Sequence, residues 1–598
     1  MATGRKTGLK VGGASGYWGD AAMATPQLLA TGDLDVIVYD YLAEITMAIL
    51  ARVRASDPAQ GYAVDFVTAA MAPNLAEIAR QGVRVISNAG GVNPEGCAEA
   101  LRAEIARQGL SLKIAVVTGD DLMPDLDRIA ASAPAEMFTG TAFPDKAAIG
   151  SINAYLGAFP IARALDTGAD IVITGRCVDS AVTLGACIHA FGWGEGDLDA
   201  LAGGALAGHI LECGPQATGG NFTDWREVAD SIADIGYPWA EIDPSGAFIV
   251  GKPDGTGGKV SVGTVAEQMV YEIGDPQSYM LPDVTCDFSG VVLDQLAKDR
   301  VRVEGATGRA APAALKTCLT WSNGFRGGHL FSFYGLEAEA KATAFAEAAF
   351  ARSRRAFRAM NLGDFTETSV ELIGAESQFG AQRQTAPARE VAAKIAVRHP
   401  SPKGVGIFLK EATGLGLASA PGLSGFAGAR PKPSPVMALF SYLTPREAVE
   451  ITISSDGGTE TMRMPASAGP ADPVRPALPA PPDMADVVEV PLIRLAFARS
   501  GDKGDNANIG VIARRADFLP YIWHGLDEAT IRAAFAHFGC GKVERFLLPG
   551  SHSMNILLHN VLGGGGTSSL RNDPQGKGYG QVLLAHPVLV AKSLLGDG

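Results

Sequence analysis

Only 7% of this 598-residue chain is aromatic, and its seven cysteines are too few and too scattered to staple a fold. Their number is odd and no short paired spacing occurs, so a disulfide framework is excluded and reduced thiols in a cytoplasm are expected. No apolar run reaches the ~20 residues that would cross a bilayer, which excludes a membrane span. Basic residues are in deficit, with Lys+Arg 50 against Asp+Glu 64 and a net charge of −14. That balance lacks the basic footprint of a nucleic-acid binder. Met1–Lys10 carries Arg5, Lys6 and Lys10 but no apolar stretch and no small-residue cleavage site, so no signal peptide is expected. There is no H-E-x-x-H, and His209 with Glu212 matches no metal motif, so no metal is expected. No repeat of fixed period is visible.

What the chain has is apolar mass, 47%, and 73 glycines, a composition that suits α/β proteins with many tight strand–helix turns. LKVGGA, DVIVYD, VRVISNAGG, LKIAVVTGDD and ADIVITGRCVD read as strands. Helical patterns lie between them at Ala21–Ala30, Ala69–Gln81, Pro94–Gln108 and Ile149–Thr167, the third opened by an Asn93–Pro94 cap. Nearly continuous apolar strands alternating with helices predict a doubly wound, Rossmann-like parallel sheet over residues 1–205. Residues 206–464 read as glycine-rich loops followed by an α+β part containing a long helix, Leu336–Met360. Residues 465–486, rich in proline, read as a stiff, exposed linker that lets the final unit, 487–598, move on its own.

In an open parallel sheet ligands bind beyond the carboxyl ends of the strands. Five such ends carry polar tails here: Gly12–Asp20, Asp40–Tyr41, Asn88–Asn93, Thr118–Asp121 and Thr174–Ser180. They predict one shared cleft holding Gly13, Ser15, Gly16, Asn88, Gly90, Gly91 and Arg176. Gly13, Gly16 and Gly19 with Asp40 also leave NAD(P) open as a cofactor. The spacing is not the strict dinucleotide form, however, and Trp18 would crowd a pyrophosphate. No cofactor is firmly implied. Lys252 with Gly255, Thr256, Gly257 and Gly258 forms a glycine-rich loop able to offer backbone N–H groups to an anion, or an ordinary hairpin loop. Cys213, beside Glu212 and His209, is either a nucleophile or an inert buried thiol. Glu212 as acid/base with Asn221 as oxyanion donor is the more economical pair. Acid/base candidates are therefore Asp40, Asp120, Asp179 and Glu212. In the last unit Asp502, Lys503, Asp505 and Asn506 crowd one loop after the strand LIRLAFA, and Gly563–Ser569 forms a second loop.

The segments GASGYWGD, DYLAEITM, SNAGGVNP, GADIVITGRCVDSA, GHILECGPQATGGNFTDW and GKPDGTGGKVSVGTVAEQMVYEIGDPQSYMLPDVTCDF resemble the acyclic terpene utilisation (AtuA) family. The tail with ARSGDKGDNANIG resembles the ferredoxin-like domain often fused to that family's core. The resemblance implies a role in the catabolism of branched, isoprenoid acyl-CoA compounds, alongside acyl-CoA carboxylases, and brings no catalytic residues with it. Three functions follow as expectations. The first is a hydro-lyase or lyase acting on a CoA thioester by acid/base chemistry. The second is an NAD(P)-dependent oxidoreductase. The third is a non-catalytic acyl-CoA-binding partner of a carboxylase. A homo-oligomer is expected.

Overall fold

The computed structural model describes residues 7–20, 22–425, 431–566 and 568–595. Arg5, Lys6, Ala21 and Thr567, which entered the readings above, lie outside them. The strands β1 (Leu9–Gly13), β2 (Val36–Tyr39), β3 (Arg84–Ser87), β4 (Ile114–Thr118) and β6 (Ile171–Thr174) pair in parallel. Their order in the sheet is β1-β2-β3-β6-β4. The apolar runs are continuous because both faces are covered. Val36, Val38, Ile86 and Val172 enter one core, while Ile37, Tyr39, Val85 and Ile173 enter another.

The expectation of a purely parallel sheet is corrected at both edges, because among the described residues the sheet has eleven strands. Beyond β1 come β7 (Trp239–Ile242) and β8 (Phe248–Gly251), antiparallel, and then the hairpin Val292–Ala297/Arg300–Glu304. Beyond β4 comes the hairpin Glu450–Ser455/Gly458–Arg463. The sheet thus draws strands from both sides of residue 205. β5 (Ile149–Ala154) also differs from expectation, since the predicted helix there begins only at Phe159. β5 leaves this sheet and pairs with the 21-residue strand Ala314–Tyr334, where Ile152 meets Leu319. The long helix is present at Ala338–Ala359.

The last unit is a four-stranded antiparallel sheet ordered Ala496–Lys503, Asn506–Ala513, Ser553–Leu558, Val543–Leu548. Its own core is built on Trp523, Phe535 and Tyr579. Residues 464–484 form neither helix nor strand, as their prolines require, but they are not loose. Arg475 clamps Asp275 with two bonds of 2.7 and 2.6 Å and lies 5.2 Å over the Phe546 ring. The linker therefore ties the last unit down.

That unit is also seated directly on the core. Asn508 Nδ2 donates to the Val270 carbonyl (2.7 Å), and Asn508 Oδ1 accepts from Glu272 N (2.9 Å). Asn555 Nδ2 donates to the carbonyls of Ile273 and Gly274 (2.8 and 2.6 Å). Arg514 grips Asp224 with two bonds of 2.6 Å and stacks on Phe497, which stacks in turn on Phe222.

Candidate active site at the carboxyl ends of the parallel strands

Asp40 follows β2 directly and is 7% exposed. Asn88, at the end of β3, donates from Nδ2 to Asp40 Oδ1 (2.5 Å), and its own Oδ1 accepts from Tyr41 N (2.8 Å). Ser15, after β1, donates to the Asp40 carbonyl (2.9 Å). Three strand ends are thus laced together around one carboxyl. Burial holds that carboxyl well above the ordinary range, helped by the charges of Asp179 and Glu212. Arg176 and the Asn88 bond act against the rise.

Arg176, after β6, is the cation beside it. Its backbone N–H donates to Asp120 Oδ2 at the end of β4 (2.8 Å), and Asn153 donates to the same oxygen (2.8 Å). Asp120 is therefore buried as the anchor of the Arg176 backbone, and burial pushes its carboxyl up to about 7. The Arg176 guanidinium donates to the Leu42 and Cys177 carbonyls and to Asp179 Oδ1 (2.9, 3.0 and 2.6 Å) and lies 4.2 Å over the Tyr155 ring. The Tyr155 hydroxyl donates to Glu44 Oε1 (2.5 Å), and Lys316 Nζ donates to the same oxygen (3.2 Å). Burial would raise Glu44, but Lys316 and Arg176 outweigh it and hold the carboxyl below its usual range.

A second wall comes from the helix Leu198–Leu211. His209, 1% exposed, shares a 2.8 Å hydrogen bond through Nδ1 with Glu212 Oε1. Burial raises Glu212 above its usual value, with His209 and Lys503 opposing and Asp179 reinforcing. Tyr279 lies alongside, its ring centre 5.9 Å from that of His209.

The last unit closes the third side with its hairpin. Lys577 Nζ joins Glu272 (2.6 Å), Asp502 (3.2 Å) and the Tyr271 hydroxyl. Lys503 projects 6.0 Å from the Tyr279 ring centre. Burial and Glu272 push the Asp502 carboxyl up to about 6, and the charge of Glu44 also reaches it. Solvent reaches the cluster at Asp179 and Lys577, whose side chains are 38% and 35% exposed.

Of the residues expected from sequence, Ser15, Asp40, Asn88, Arg176, Asp179, Glu212, Asp502 and Lys503 belong to this network of hydrogen bonds and charge interactions. Several others stand elsewhere, for physical reasons. Gly13 and Gly16 are glycines because added Cβ atoms would lie 2.7 Å from the Leu211 carbonyl and 2.9 Å from Cys213. The room a pyrophosphate would need is filled by the chain itself, and Gly16 N–H is bonded to Asp20 (3.0 Å). These residues do not fit a nicotinamide dinucleotide. Gly90 is pressed against the Thr174 carbonyl and Gly91 against that of Gly61, so both serve packing.

The loop from Lys252 to Gly258 is corrected in the same way. Gly257 N–H donates to the Asp234 carbonyl (2.8 Å), Gly258 N–H to Ser231 Oγ (3.0 Å) and Lys252 Nζ to the Thr256 carbonyl (2.8 Å). The Thr256 hydroxyl turns back to Pro253, and Gly255 sits in an open turn at φ 78°. The loop is a latch against residues 218–236, with these donors already engaged. Asn221 is exposed at φ 59° and, among the described residues, makes no hydrogen bond to the cluster. Asp505 and Asn506 shape the hairpin by accepting from Gly564 N and Asn560 N (2.7 and 3.0 Å). Two open surface hollows, one lined by Asp199 and Gly246 and one by Asn323 and His399, gather no comparable set of interacting carboxylates.

Sequence reasoning passed over Glu44, Tyr155, Glu272, Tyr279, Lys316 and Lys577. Each stands alone in its stretch of sequence, and only Glu44, Glu272 and Tyr279 lay within segments quoted for their resemblance.

Compared with family profiles, the chain matches Acyclic terpene utilisation family protein AtuA over residues 9–455. It belongs to the acyclic terpene utilisation family. The AtuA ferredoxin-like domain follows over residues 490–589. Neither a curated protein nor a solved structure matched the chain in the corresponding searches. Membership ties the chain to acyclic terpene utilisation. The two AtuA matches meet at the site: Asp40, Arg176, Glu212 and Glu272 come from the first, and Asp502, Lys503 and Lys577 from the second. Among the described residues no helix is long and apolar enough to cross a membrane.

Proposed function

We propose that this protein is an enzyme of branched, isoprenoid acyl-CoA catabolism that performs acid/base chemistry on a CoA thioester, as a hydro-lyase or lyase. The observation that carries the reading is that Asp40 and Asp179 flank Arg176 at the strand ends, with Glu212 near enough for its charge to reach Asp40. Asp40 feels the charges of Asp179 and Glu212, and burial disfavours its charged form. Asp40, whose charged form burial and like charge disfavour, is the acid. Glu212, oriented by His209, is the base. The use of parallel-strand carboxyl ends for the ligand is that of a Rossmann-like sheet. In the hydro-lyase direction Glu212 takes a proton from water as its oxygen adds to C3 of a 2-enoyl thioester. The C2=C3 electron pair moves toward the thioester oxygen, and Asp40 delivers a proton to C2.

The direct experiment incubates the protein with a 3-methyl-branched 2-enoyl-CoA in deuterium oxide. Hydration with one deuterium at C2 is expected. Absence of both hydration and C2 exchange would overturn the reading. The pH profile of kcat/KM should be bell-shaped. Activity falls on the acid side as Glu212 gains its proton, at a pH above the ordinary glutamate value of about 4.3. It falls on the alkaline side as Asp40, its carboxyl held well above the ordinary range by burial, loses its own. A profile flat from pH 4 to 9 would remove both carboxyls from the chemistry.

A further inference from the structure

The site is crowded with acids, and almost every cation in it already has a carboxylate partner. Arg176 is 2.6 Å from Asp179, Lys316 is 3.2 Å from Glu44, and Lys577 is 2.6 Å from Glu272. Lys503 is different. Among the described residues its Nζ makes no hydrogen bond and no ion pair, and it lies over the face of the Tyr279 ring, 6.0 Å from its centre. It is nevertheless held in place. It ends the strand Ala496–Lys503, and Asp502, its neighbour, is tied to Lys577 and through it to Glu272. Gly501 lies so close to the core that a Cβ there would stand 2.5 Å from the Glu272 side chain. The hairpin is therefore fixed on the core, and its lysine head feels the charges of Glu212 and Glu272 but, among the described residues, is hydrogen-bonded to neither.

Proton chemistry beside a thioester puts negative charge on the carbonyl oxygen, and a preorganised donor aimed at that oxygen is worth about 10²–10³ in rate. We propose that Lys503, supplied by the C-terminal domain, is the cation that receives this charge, so that the core alone is an incomplete site. The inference rests on the acid/base reading above and adds the group that stabilises the enolate-like oxygen as the C2=C3 electron pair shifts onto it.

Two measurements on the full-length protein test it. In the first, surface amines are acylated with acetic anhydride with and without saturating 3-methyl-branched 2-enoyl-CoA. Lys503 labelling is read by peptide mass spectrometry against exposed Lys403. The thioester should protect Lys503 at least fivefold, and desulfo-CoA, which has no thiol for the anhydride to acylate, should not. Equal labelling of Lys503 with and without the thioester overturns the proposal. Protection by desulfo-CoA alone also overturns it, because a phosphate would then occupy the lysine. In the second, Lys503→Ala should lower kcat about 100-fold with KM changed by no more than a few-fold, and Lys503→Arg should restore part of the loss. Wild-type turnover in Lys503→Ala overturns the proposal. Protection of Lys503 without any turnover supports this site and sinks the hydration reading instead.

Discussion

Asp40→Asn will lose about three orders of magnitude in turnover of a branched acyl-CoA thioester, the middle of the range one acid or base contributes, while melting no lower than the wild type. The two halves of this expectation have one cause. Asp40 is buried among Asp179 and Glu212, so its charged form is disfavoured in the folded state. Asparagine keeps an oxygen for the Asn88 Nδ2 bond and the loop geometry that depends on it, but has no proton to give. Because the folded value lies above the unfolded one, the wild type binds the extra proton in the native state. Its stability therefore falls as pH rises from the unfolded value of about 3.9 through the folded value. The variant lacks that fall. At pH 8 it should equal or exceed the wild-type melting temperature, and at pH 4 the advantage should vanish. A variant that is inactive and also several degrees less stable at pH 8 would mark Asp40 as a structural group.

Gly510→Val will unseat the C-terminal domain. An added Cβ at Gly510 would lie 2.0 Å from Val270 Cγ2 and 2.5 Å from Val270 Cβ. Val270 is buried and β-branched and follows directly on the helix Val262–Met269, so it cannot swing aside. The same patch carries the Asn508 and Asn555 bonds to the backbone of residues 270–274. Overpacking costs on the order of 1–3 kcal/mol, and each buried polar group left without its partner costs about as much again. With several such groups at one seam, docking should fail. Limited proteolysis should then cut within residues 465–486, where the wild type is pinned by Arg475. Turnover should fall with it, because Lys503 leaves the site. Unchanged protease resistance together with unchanged turnover would contradict the account of the seam.

The five parallel strands were legible because burial on both faces writes itself as an unbroken apolar run. The edge hairpins and β5 were not. Their alternation is short, and partners such as Leu319 for Ile152 lie far along the chain. The site divides in the same manner. Asp40, Arg176 and Asp179 stand at strand ends, where topology itself points to a ligand. Glu44, Tyr155, Lys316 and Lys577 acquire their role only through partners distant in sequence, and a lone lysine or glutamate carries no sign of that. The loop of Gly255–Gly258 shows the converse error. A glycine that lets a ligand approach and a glycine that lets a neighbouring backbone approach look alike in sequence. Gly257, whose Cβ would meet the Ser231 carbonyl at 2.4 Å, is the second kind.

The central claim is that one site at the strand ends is completed by the C-terminal domain. A crystal structure of the full-length protein with a carbadethia analogue of a 3-methyl-branched acyl-CoA, in which CH2 replaces the thioester sulfur and the carbonyl is kept, tests it most directly. The account predicts the analogue's C2 and C3 between the carboxyls of Asp40 and Glu212, with its carbonyl oxygen within hydrogen-bond distance of Lys503 Nζ. An acyl group bound in the hollow at Asn323 and His399, or anywhere out of reach of Asp40, Glu212 and Lys503, would contradict it.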